Sequence, residues 1–427
     1  MLPTSRALWA LGLVSVTFVA GLGGAHGMAI LGAVLDLVVL GLVLFDGLQA
    51  SRVPLAVHRS LPGRVHQHED AEIGLHVANP SDRKLRVLLR DTVHPTLLTD
   101  AHTHTIDLPR GVRVDRTLRV RPLRRGTMPL GDVHLRVPGP LGLALHQRTV
   151  SLSDSVRVLP QARLDGDDGL QLARLLRSPQ GAHHTRRFGR SHALAHLREY
   201  ARGDSRRSIH WRASARRHRP VTRVTRRSDH QRVVLLVDAG RTMTAATDTR
   251  SRLDRMLAAV LGFARVAIRL RDSVTIVVYG AQLRKTVHID PRTRRFAPAF
   301  DALHDLEART EESAPGVAAA WVREHAPKGA TVIWCTSVTD SAGTERLSAA
   351  ARSMARRHPT VLLNLLDADL HRIARQDPTH LVEAYEKASA LQRRARLDAL
   401  ARSLTSAGVA VVQAPADRLV IGLVGRM

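Results

Sequence analysis

The stretch VVLLVDAG at residues 233–240 decides how the C-terminal half of the chain folds. Its first five positions are all apolar, whereas a strand with one face in water would alternate apolar and polar residues. An uninterrupted apolar run is typical of a strand that is buried on both faces of a parallel sheet. The run ends in Asp238, Ala239 and Gly240, where such a strand leaves the sheet.

Similar apolar runs recur through residues 233–427 and alternate with helical patterns. We predict further strands at 273–280, 330–337, 360–367 and 408–415. We predict helices at 252–270, 299–308, 315–326, 343–358 and 379–404. This alternation indicates an α/β domain with a mostly parallel, doubly wound sheet. Ligands bind such sheets beyond the carboxyl ends of their strands, which makes Asp238 a candidate site residue.

Residues 51–160 predict a different fold, a small antiparallel β-sandwich. Short runs of alternating apolar and polar residues are separated by turn residues, at 71–80, 84–92, 103–109, 112–123, 133–143 and 154–160. Short strands with turns between them are typical of sandwich domains.

The first fifty residues predict a transmembrane helical hairpin. Residues 7–25 carry no charge, and residues 28–45 carry only Asp36. Each run approaches the ~20 residues that a helix needs to cross a bilayer. The intervening turn, which we expect at His26-Gly27, is too short to be a domain. Asp36 would then lie within the second span, where it could have a functional role or simply face the other helix.

Flanking charges predict the orientation of this hairpin. Arg6 precedes the first span, Arg52, Arg59 and Arg64 follow the second, and the turn has no Lys or Arg. The positive-inside rule then places both ends, and the soluble domains, in the cytoplasm as part of a multi-pass inner-membrane protein. The alternative is a signal peptide cleaved after the small residues at 21–25, which would reverse the orientation.

The composition excludes several classes of protein. A hydrophobic content of 44% is too high for a disordered chain, and the single cysteine excludes a disulfide framework and a cysteine zinc site. The net charge is +26, and fourteen arginines lie between residues 182 and 227. Such a cluster could bind nucleic acid, anionic lipid or an acidic protein. The aromatic content of 3% argues against a base-stacking surface.

The most specific motif lies inside this cluster, in the segment 161–232, and reads REYARGDSRRSIHWRASAR at residues 198–216. It resembles the signature of a bacterial membrane-protein family known as domain of unknown function fifty-eight, associated with MoxR-type AAA+ ATPases. The matching positions are Arg198, Glu199, Tyr200, Gly203, Asp204, Arg207, Ile209, Trp211, Ser214, Ala215 and Arg216. The order of a membrane hairpin at 1–50, a β domain at 51–160, the signature and an α/β domain at 233–427 is also similar to that family.

The resemblance implies a von Willebrand factor A-like α/β domain and a MoxR-type ATPase as partner, with the signature as a partner-binding surface. Von Willebrand factor A domains hold a divalent cation with an Asp-x-Ser-x-Ser motif, a loop threonine and a second aspartate. Here Asp238 and Thr242 match, and Gly240 replaces the first serine. The second aspartate position falls at Thr336 or Ser337, with Asp340 slightly later, and Thr310 is a loosely aligned loop threonine. Asp238, Thr242 and Asp340 are therefore candidate ligands for Mg²⁺ in a degenerate site.

Three functions remain open at this point. The favoured one is a non-enzymatic, membrane-anchored adaptor that serves an ATPase in protein maturation or envelope-related assembly, without a resident cofactor. The second is binding of nucleic acid or anionic lipid through the 182–227 cluster. The third is a metal-dependent enzyme at the Asp238 edge. The sequence has no Gly-x-Ser-x-Gly elbow, P-loop or His-Glu-x-x-His motif that would favour catalysis.

Overall fold

A computed structural model of the chain describes residues 1–22, 26–100, 103–161, 192–201, 209–227, 231–247, 249–292, 296–338, 341–415 and 419. The chain divides into two compact units, Met1–Leu159 and Pro160–Met427. The first contains two N-terminal helices followed by β-sheets, and the second is a mixed α/β unit.

The two N-terminal helices are α1, Ser5–Gly21, and α2, His26–Ser51. The turn expected at His26-Gly27 is instead the start of α2, so the helices are joined by an earlier segment. They approach closely because glycines replace larger residues at the contact. A Cβ at Gly21 would lie 2.2 Å from the backbone nitrogen of Ala29, and one at Gly32 would lie 2.6 Å from that of Phe18.

Within the described residues, α2 is the one helix long and apolar enough to cross a membrane, while α1 is apolar but shorter. Asp36, in the middle of α2, accepts a hydrogen bond from the hydroxyl of Ser15 on α1 at 3.1 Å. The carboxylate therefore faces the other helix, which is the simpler of the two interpretations of an ionisable residue at this depth.

Twelve strands belong to the first unit. They are β1 Leu2–Pro3, β2 Ala56–Ser60, β3 Val65–His66, β4 Ala71–Ala78, β5 Leu85–Asp91, β6 Leu97–Thr99, β7 Thr103–Leu108, β8 Arg113–Pro122, β9 Gly126–Pro129, β10 Val133–Pro138, β11 Ala144–Val150 and β12 Ser155–Leu159. They form sheets of order β1-β11-β10-β5-β7, β2-β4-β8-β6 and β3-β12-β9. All pairs are antiparallel except β3 with β12.

Alternating side chains of the two larger sheets share one core. Leu75 and Val77 of β4 pack in the same buried cluster as Leu89 of β5 and Leu135 of β10. This arrangement follows from the period-two pattern of the strands, which directs every second residue inward.

The strand expected to run from 133 to 143 ends at Pro138, and the following residues form a tight loop that closes on α2. Asp46, near the end of α2, is fully buried. One carboxylate oxygen accepts the Leu141 N–H at 2.7 Å, and the other accepts the N–H groups of Leu143 at 2.7 Å and Ala144 at 2.8 Å. A Cβ at Gly139 would lie 2.3 Å from this carboxyl carbon, so the loop needs glycine there.

The N-terminal end of the hairpin is fixed to the same loop. Strand β1 pairs with the beginning of β11, and the Thr4 N–H donates to the Leu143 carbonyl at 2.9 Å. The Thr4 hydroxyl also contacts the carbonyls of Gly142 and Leu143. Both ends of the helical hairpin are therefore held by residues 139–145.

A buried ion cluster lies between the sheets of this unit. The Arg59 guanidinium, counted above among the charges that follow the second span, contacts Asp91 at 2.5 Å and Asp154 at 3.2 Å. Burial raises the pKa of Asp91, against the opposing effect of Arg59. Arg59 is therefore a buried ion-pair partner within this unit and not an exposed flanking charge.

The second unit contains the remaining elements. Its strands are β13 His192–Glu199, β14 Val221–Arg227, β15 Arg232–Asp238, β16 Ala246–Thr247, β17 Arg250–Ser251, β18 Ser273–Tyr279, β19 Leu283–Ile289, β20 Thr331–Thr336, β21 Thr360–Leu365 and β22 Val409–Ala414. Its helices are α3 Trp211–Arg217, α4 Arg252–Arg269, α5 Ala297–Leu303, α6 Pro315–His325, α7 Ser341–Ala355, α8 Ala368–Arg375 and α9 Leu381–Ser406.

The main sheet has the order β19-β18-β15-β20-β21-β22, with β15 near its centre. In chain order this is 3-2-1-4-5-6, the doubly wound order whose switch point lies beside the first strand. Every pair is parallel except β18 with β19. Strand β19 was not expected from the sequence, because only Val287 and Ile289 are buried in this edge strand and the apolar signal is weak.

Candidate functional site

Asp238 is the last residue of β15, and 4% of its surface is exposed. One carboxylate oxygen accepts the Gly240 N–H at 2.9 Å and the hydroxyl of Ser313. The other accepts the hydroxyl of Thr336 at 2.7 Å. The three donors come from the ends of two neighbouring strands and from a loop, so the tertiary structure is needed to assemble them.

Burial raises the pKa of Asp238, and the hydrogen bonds from Ser313, Gly240 and Thr336 oppose that rise. Among the described residues, no arginine or lysine side chain contributes to this balance. Asp238 does not pair with the nearby Arg241, whose guanidinium contacts Glu312 instead.

The loop before α6 is what brings Ser313 to the carboxylate. Its backbone is fixed across the strand ends by hydrogen bonds from Arg309 N–H to the Ala239 carbonyl and from Ala314 N–H to the Gly280 carbonyl. The Arg241 N–H donates to the Glu311 carbonyl in the same way. Thr310, the loop threonine suggested by the sequence, is exposed, and Ser313 is the residue whose hydroxyl reaches Asp238. The sequence could not show which of these two hydroxyls reaches Asp238, because the loop has no regular period that would fix which side chains point inward.

A small cavity of about 50 Å³ lies beside this carboxylate. Its lining includes Asp238, Thr242, Tyr279, Ser313, Thr336 and Ser337. Beneath it, the Trp334 indole donates to the Tyr279 hydroxyl at 2.6 Å, and both rings are fully buried. Burial raises the pKa of Tyr279 well above its ordinary value, so the phenol stays neutral.

Three charged side chains form the rim of this cavity. Glu312 contacts Arg241 at 3.6 Å and also hydrogen-bonds to Arg346 of α7. All three side chains are about half exposed. The hydrogen bond from Arg346 lowers the pKa of Glu312, and Arg241 adds to that effect. We refer to Arg241, Glu312 and Arg346 as the cleft rim.

The donors around Asp238 contact its carboxylate directly, so a divalent cation could bind there only if they were rearranged. Both oxygens of Asp238 already accept hydrogen bonds, and a cation would require the two hydroxyls to turn their lone pairs inward. The rim adds two guanidinium groups, which oppose a further positive charge. A serine cannot replace Gly240 without a shift, because its Cβ would lie 2.1 Å from the Ser313 hydroxyl oxygen.

The three predicted ligands are not shown to meet at this site. Thr242 lines the cavity with Asp238, whereas Asp340 lies outside the described residues. The part of the chain that the structure describes holds no group of three or more His, Cys, Asp or Glu side chains arranged for a metal.

The signature residues build a hairpin with a short helix inside it. Strand β13 ends in Arg198 and Glu199, followed by Tyr200, and pairs with β14. Glu199 contacts Arg219 at 2.7 Å. The Ser214 hydroxyl donates to the His210 carbonyl at 3.1 Å and accepts the Val221 N–H at 2.9 Å. This serine therefore closes the hairpin.

Of the other signature positions, Ile209 is half-buried, three are exposed and three lie outside the described residues. Trp211, the first residue of α3, is 72% exposed, and Arg216 is exposed on the same helix. Gly203, Asp204 and Arg207 lie outside the described residues. Trp211 and the arginines of this short helix are therefore exposed rather than packed in the fold.

Two further side chains in the second unit, Asp367 and Cys335, have structural roles. Asp367 is the N-cap of α8, accepting the Asp369 N–H at 3.2 Å, and it pairs with Arg252 at 2.9 Å. Burial alone would raise the pKa of Asp367, but these hydrogen bonds lower it. Cys335 is fully buried, and burial raises the pKa of its thiol, so it is a core residue rather than a nucleophile.

The strand order, the carboxyl-edge cavity and its aspartate define the second unit as a mixed α/β domain of the von Willebrand factor A-like class. Solved structures similar to the chain include the VWA domain of SpRpn10, at 13% identity and a TM-score of 0.31 over 46% of this chain and 98% of that one. Another is the hypothetical protein BatB from Bacteroides thetaiotaomicron, at 15% identity and a TM-score of 0.29 over 45% and 96%. The assignment of this class therefore rests on the strand order and the site, and not on these low scores.

Residues 196–400 match the family model described as "Protein of unknown function DUF58". The chain therefore carries a domain of this family, as the signature predicted. No curated protein matches the sequence.

Proposed function

We propose that this protein is a non-enzymatic, membrane-anchored adaptor that docks a MoxR-type AAA+ ATPase through its α/β unit, in protein maturation or envelope-related assembly. The family resemblance supplies the class of partner. One observation carries the adaptor role: Asp238 is fully satisfied inside the carboxyl-edge cavity, while the cleft rim is half exposed above it.

The two layers of this site favour docking over chemistry. The inner layer has a carboxylate whose acceptors are already used by two hydroxyls and a backbone N–H, so it is poorly placed to activate a water molecule. The outer layer consists of long side chains that can exchange partners across an interface. Rim charges of this kind set the association rate and specificity of protein complexes.

We further propose that α1 and α2 both cross the inner membrane and that the two units face the cytoplasm. Both ends of the hairpin are fixed to residues 139–145, which supports an uncleaved hairpin. Cleavage after α1 would remove β1 from its sheet. Cysteine labelling tests the orientation. The thiol of His26→Cys should react with an impermeant maleimide added outside cells, whereas that of Ser81→Cys should react only after lysis.

The adaptor role is tested by purifying the full chain from native membranes in mild detergent, with nuclease, and identifying bound proteins by mass spectrometry. We expect an AAA+ ATPase of the MoxR type. Reversing two rim charges, Arg241→Glu with Arg346→Glu, should reduce its recovery at least tenfold. The matched control, Arg269→Glu with Arg323→Glu, makes the same change of charge at exposed positions away from the cleft and should leave recovery unchanged.

Two outcomes would overturn the proposal. One is the absence of any AAA+ ATPase from the eluate. The other is that co-purifying proteins disappear on nuclease treatment, which would make the 182–227 arginine cluster the functional surface instead.

A further inference from the structure

A groove of about 510 Å³ runs between helices α7 and α9 of the α/β unit. Residues 344–352 of α7 and 393–403 of α9 line it. At 1.5 Å per residue these stretches extend over about 12 to 15 Å, which matches two to three turns of a helix laid between them. Leu397 and Leu400, with Ala349 opposite, give it an apolar floor.

The charges around this floor are mostly positive. Arg352, Arg393 and Arg396 line the groove, against one acidic residue, Glu345. Arg352 reaches across it to the Ser403 hydroxyl at 3.3 Å. An apolar floor between guanidinium groups is complementary to a segment that is apolar on one face and acidic at its margins.

One end of the groove carries positive charge that its neighbours do not neutralise. The Nε of Arg393 is buried and has no hydrogen-bond partner among the described residues. Arg393 lies near Asp367, but that carboxylate is already paired with Arg252 at 2.9 Å. Burial lowers the pKa of Arg393, and the charge of Arg252 lowers it further. Two guanidinium groups therefore lie near a single carboxylate. An added anion could pair with the second positive charge.

We propose that the groove between α7 and α9 is the docking site for an acidic amphipathic helix of a protein partner. Its apolar face would cover Leu397 and Leu400, and its carboxylates would pair with Arg352, Arg393 and Arg396. The proposal deepens the adaptor function by giving the chemistry of the partner. It depends on the proposed function in one respect: the partner must be a protein.

The probe is a fluorescein-labelled, 14-residue helical peptide with leucines on one face and glutamates beside them. Its twin carries lysine in place of each glutamate. Binding to the full chain in lipid nanodiscs is followed by fluorescence anisotropy at two salt concentrations. We expect saturable binding of the glutamate peptide and at least tenfold weaker binding of the lysine peptide.

Matched variants separate this groove from the general positive charge of the chain. Arg352→Glu with Arg396→Glu should weaken binding of the glutamate peptide at least tenfold and should allow the lysine peptide to bind. The control, Arg356→Glu with Arg394→Glu, changes exposed residues that do not line the groove. This control variant has the same net charge as the groove variant. Its affinity for the glutamate peptide should be within twofold of that of the native chain.

Equal losses in the two double variants would overturn the proposal, because they would show attraction by overall charge. Failure of the native chain to bind the glutamate peptide would overturn it even if an ATPase still co-purified. Peptide binding with the expected variant pattern, in the absence of any co-purifying ATPase, would support the groove while removing the proposed ATPase partner.

Discussion

Asp46 and Asp238 are both buried carboxylates with three hydrogen-bond donors, yet they are held in different ways. Every donor to Asp46 is a backbone N–H of one loop, and the carboxylate fills the space that Gly139 leaves. Two of the donors to Asp238 are hydroxyls, and a cavity lies beside it. Backbone donors are fixed by the fold, whereas hydroxyls rotate. Asp46 therefore fastens α2 to a sheet, and Asp238 belongs to a site that can adjust.

The largest effect should come from removing the carboxylate at Asp46. Asp46→Ala leaves three buried N–H groups without an acceptor, and we expect it to destabilise the first unit by about 3 kcal/mol or more. Chemical unfolding of the full chain in detergent measures this, and hydrogen exchange should show loss of protection at Leu141, Leu143 and Ala144. Asp82→Asn, at an exposed ion pair, is the control. A change below 1 kcal/mol, on the order of a single exposed contact, would contradict the fastener role.

One glycine beside each of these carboxylates offers the next comparison. Gly139→Ala and Gly240→Ala each place a Cβ against a polar side chain, and we expect each to cost about 1 to 3 kcal/mol through overpacking. The cost at Gly240 should fall when combined with Ser313→Ala, because that hydroxyl is its nearest obstacle. A double-mutant cycle measures this coupling. Additive costs would show that the backbone of the loop, rather than the hydroxyl, is the obstacle.

A hydroxyl deletion should have an effect in the lower half of the range expected for the glycine changes. Thr336→Val removes one hydrogen bond to the Asp238 carboxylate, and we expect it to destabilise the second unit by about 1.5 kcal/mol. Thr331→Val is a useful comparison, because the hydroxyl of this buried threonine has no hydrogen-bond partner among the described residues. It should be close to neutral. Equal costs for the two threonines would indicate that Thr336 acts through packing alone.

The dependence of stability on pH should distinguish Asp238 from Asp367. The folded pKa of Asp238 is raised above the ordinary 3.8, so the folded state retains the proton longer. Its contribution to the free energy of unfolding should therefore fall as pH rises from 3.8 through that pKa. The folded pKa of Asp367 is lowered, so its contribution is lost as pH falls below 3.8. Unfolding of Asp238→Asn and Asp367→Asn between pH 3 and 7 measures the two opposite slopes.

The smallest effect on folding should come from the cleft rim. Glu312→Gln removes a charge whose side chain is half exposed, and we expect no measurable change in the melting temperature. Its effect should be confined to recovery of the ATPase partner. A clear drop in melting temperature would mean that the rim holds the loop before α6 in place rather than facing a partner.

Much of the fold could be predicted from periodicity. The continuous apolar runs gave β15, β18, β20, β21 and β22 to within two residues at either end, because strands buried on both faces cannot admit polar residues. The edge strand β19 was not predicted, because only two of its residues are buried and its apolar pattern is therefore weak. The helix expected at 299–308 ends at Leu303, and the start of α2 was placed too late.

The candidate site could be predicted only in part. Asp238 follows from the position of β15, and Thr336 was recognised as standing near the place of a second aspartate. Ser313 could not be distinguished from Thr310, because the strand ends select the loop residue across more than seventy positions of sequence. Asp46 gave no signal at all, since its donors are backbone groups that every residue carries.

The sequence by itself determined the class of the protein: apolar helices at the N-terminus, β-sheets, a doubly wound α/β unit and the family signature. These features depend on local period, composition and spacing, which are written along the chain. Only the tertiary structure decided which polar atoms meet, because a buried carboxylate takes whichever donors the packing brings within about 3 Å. That is why Asp238 is satisfied by Ser313 and Thr336, and Asp46 by the loop at 139–144.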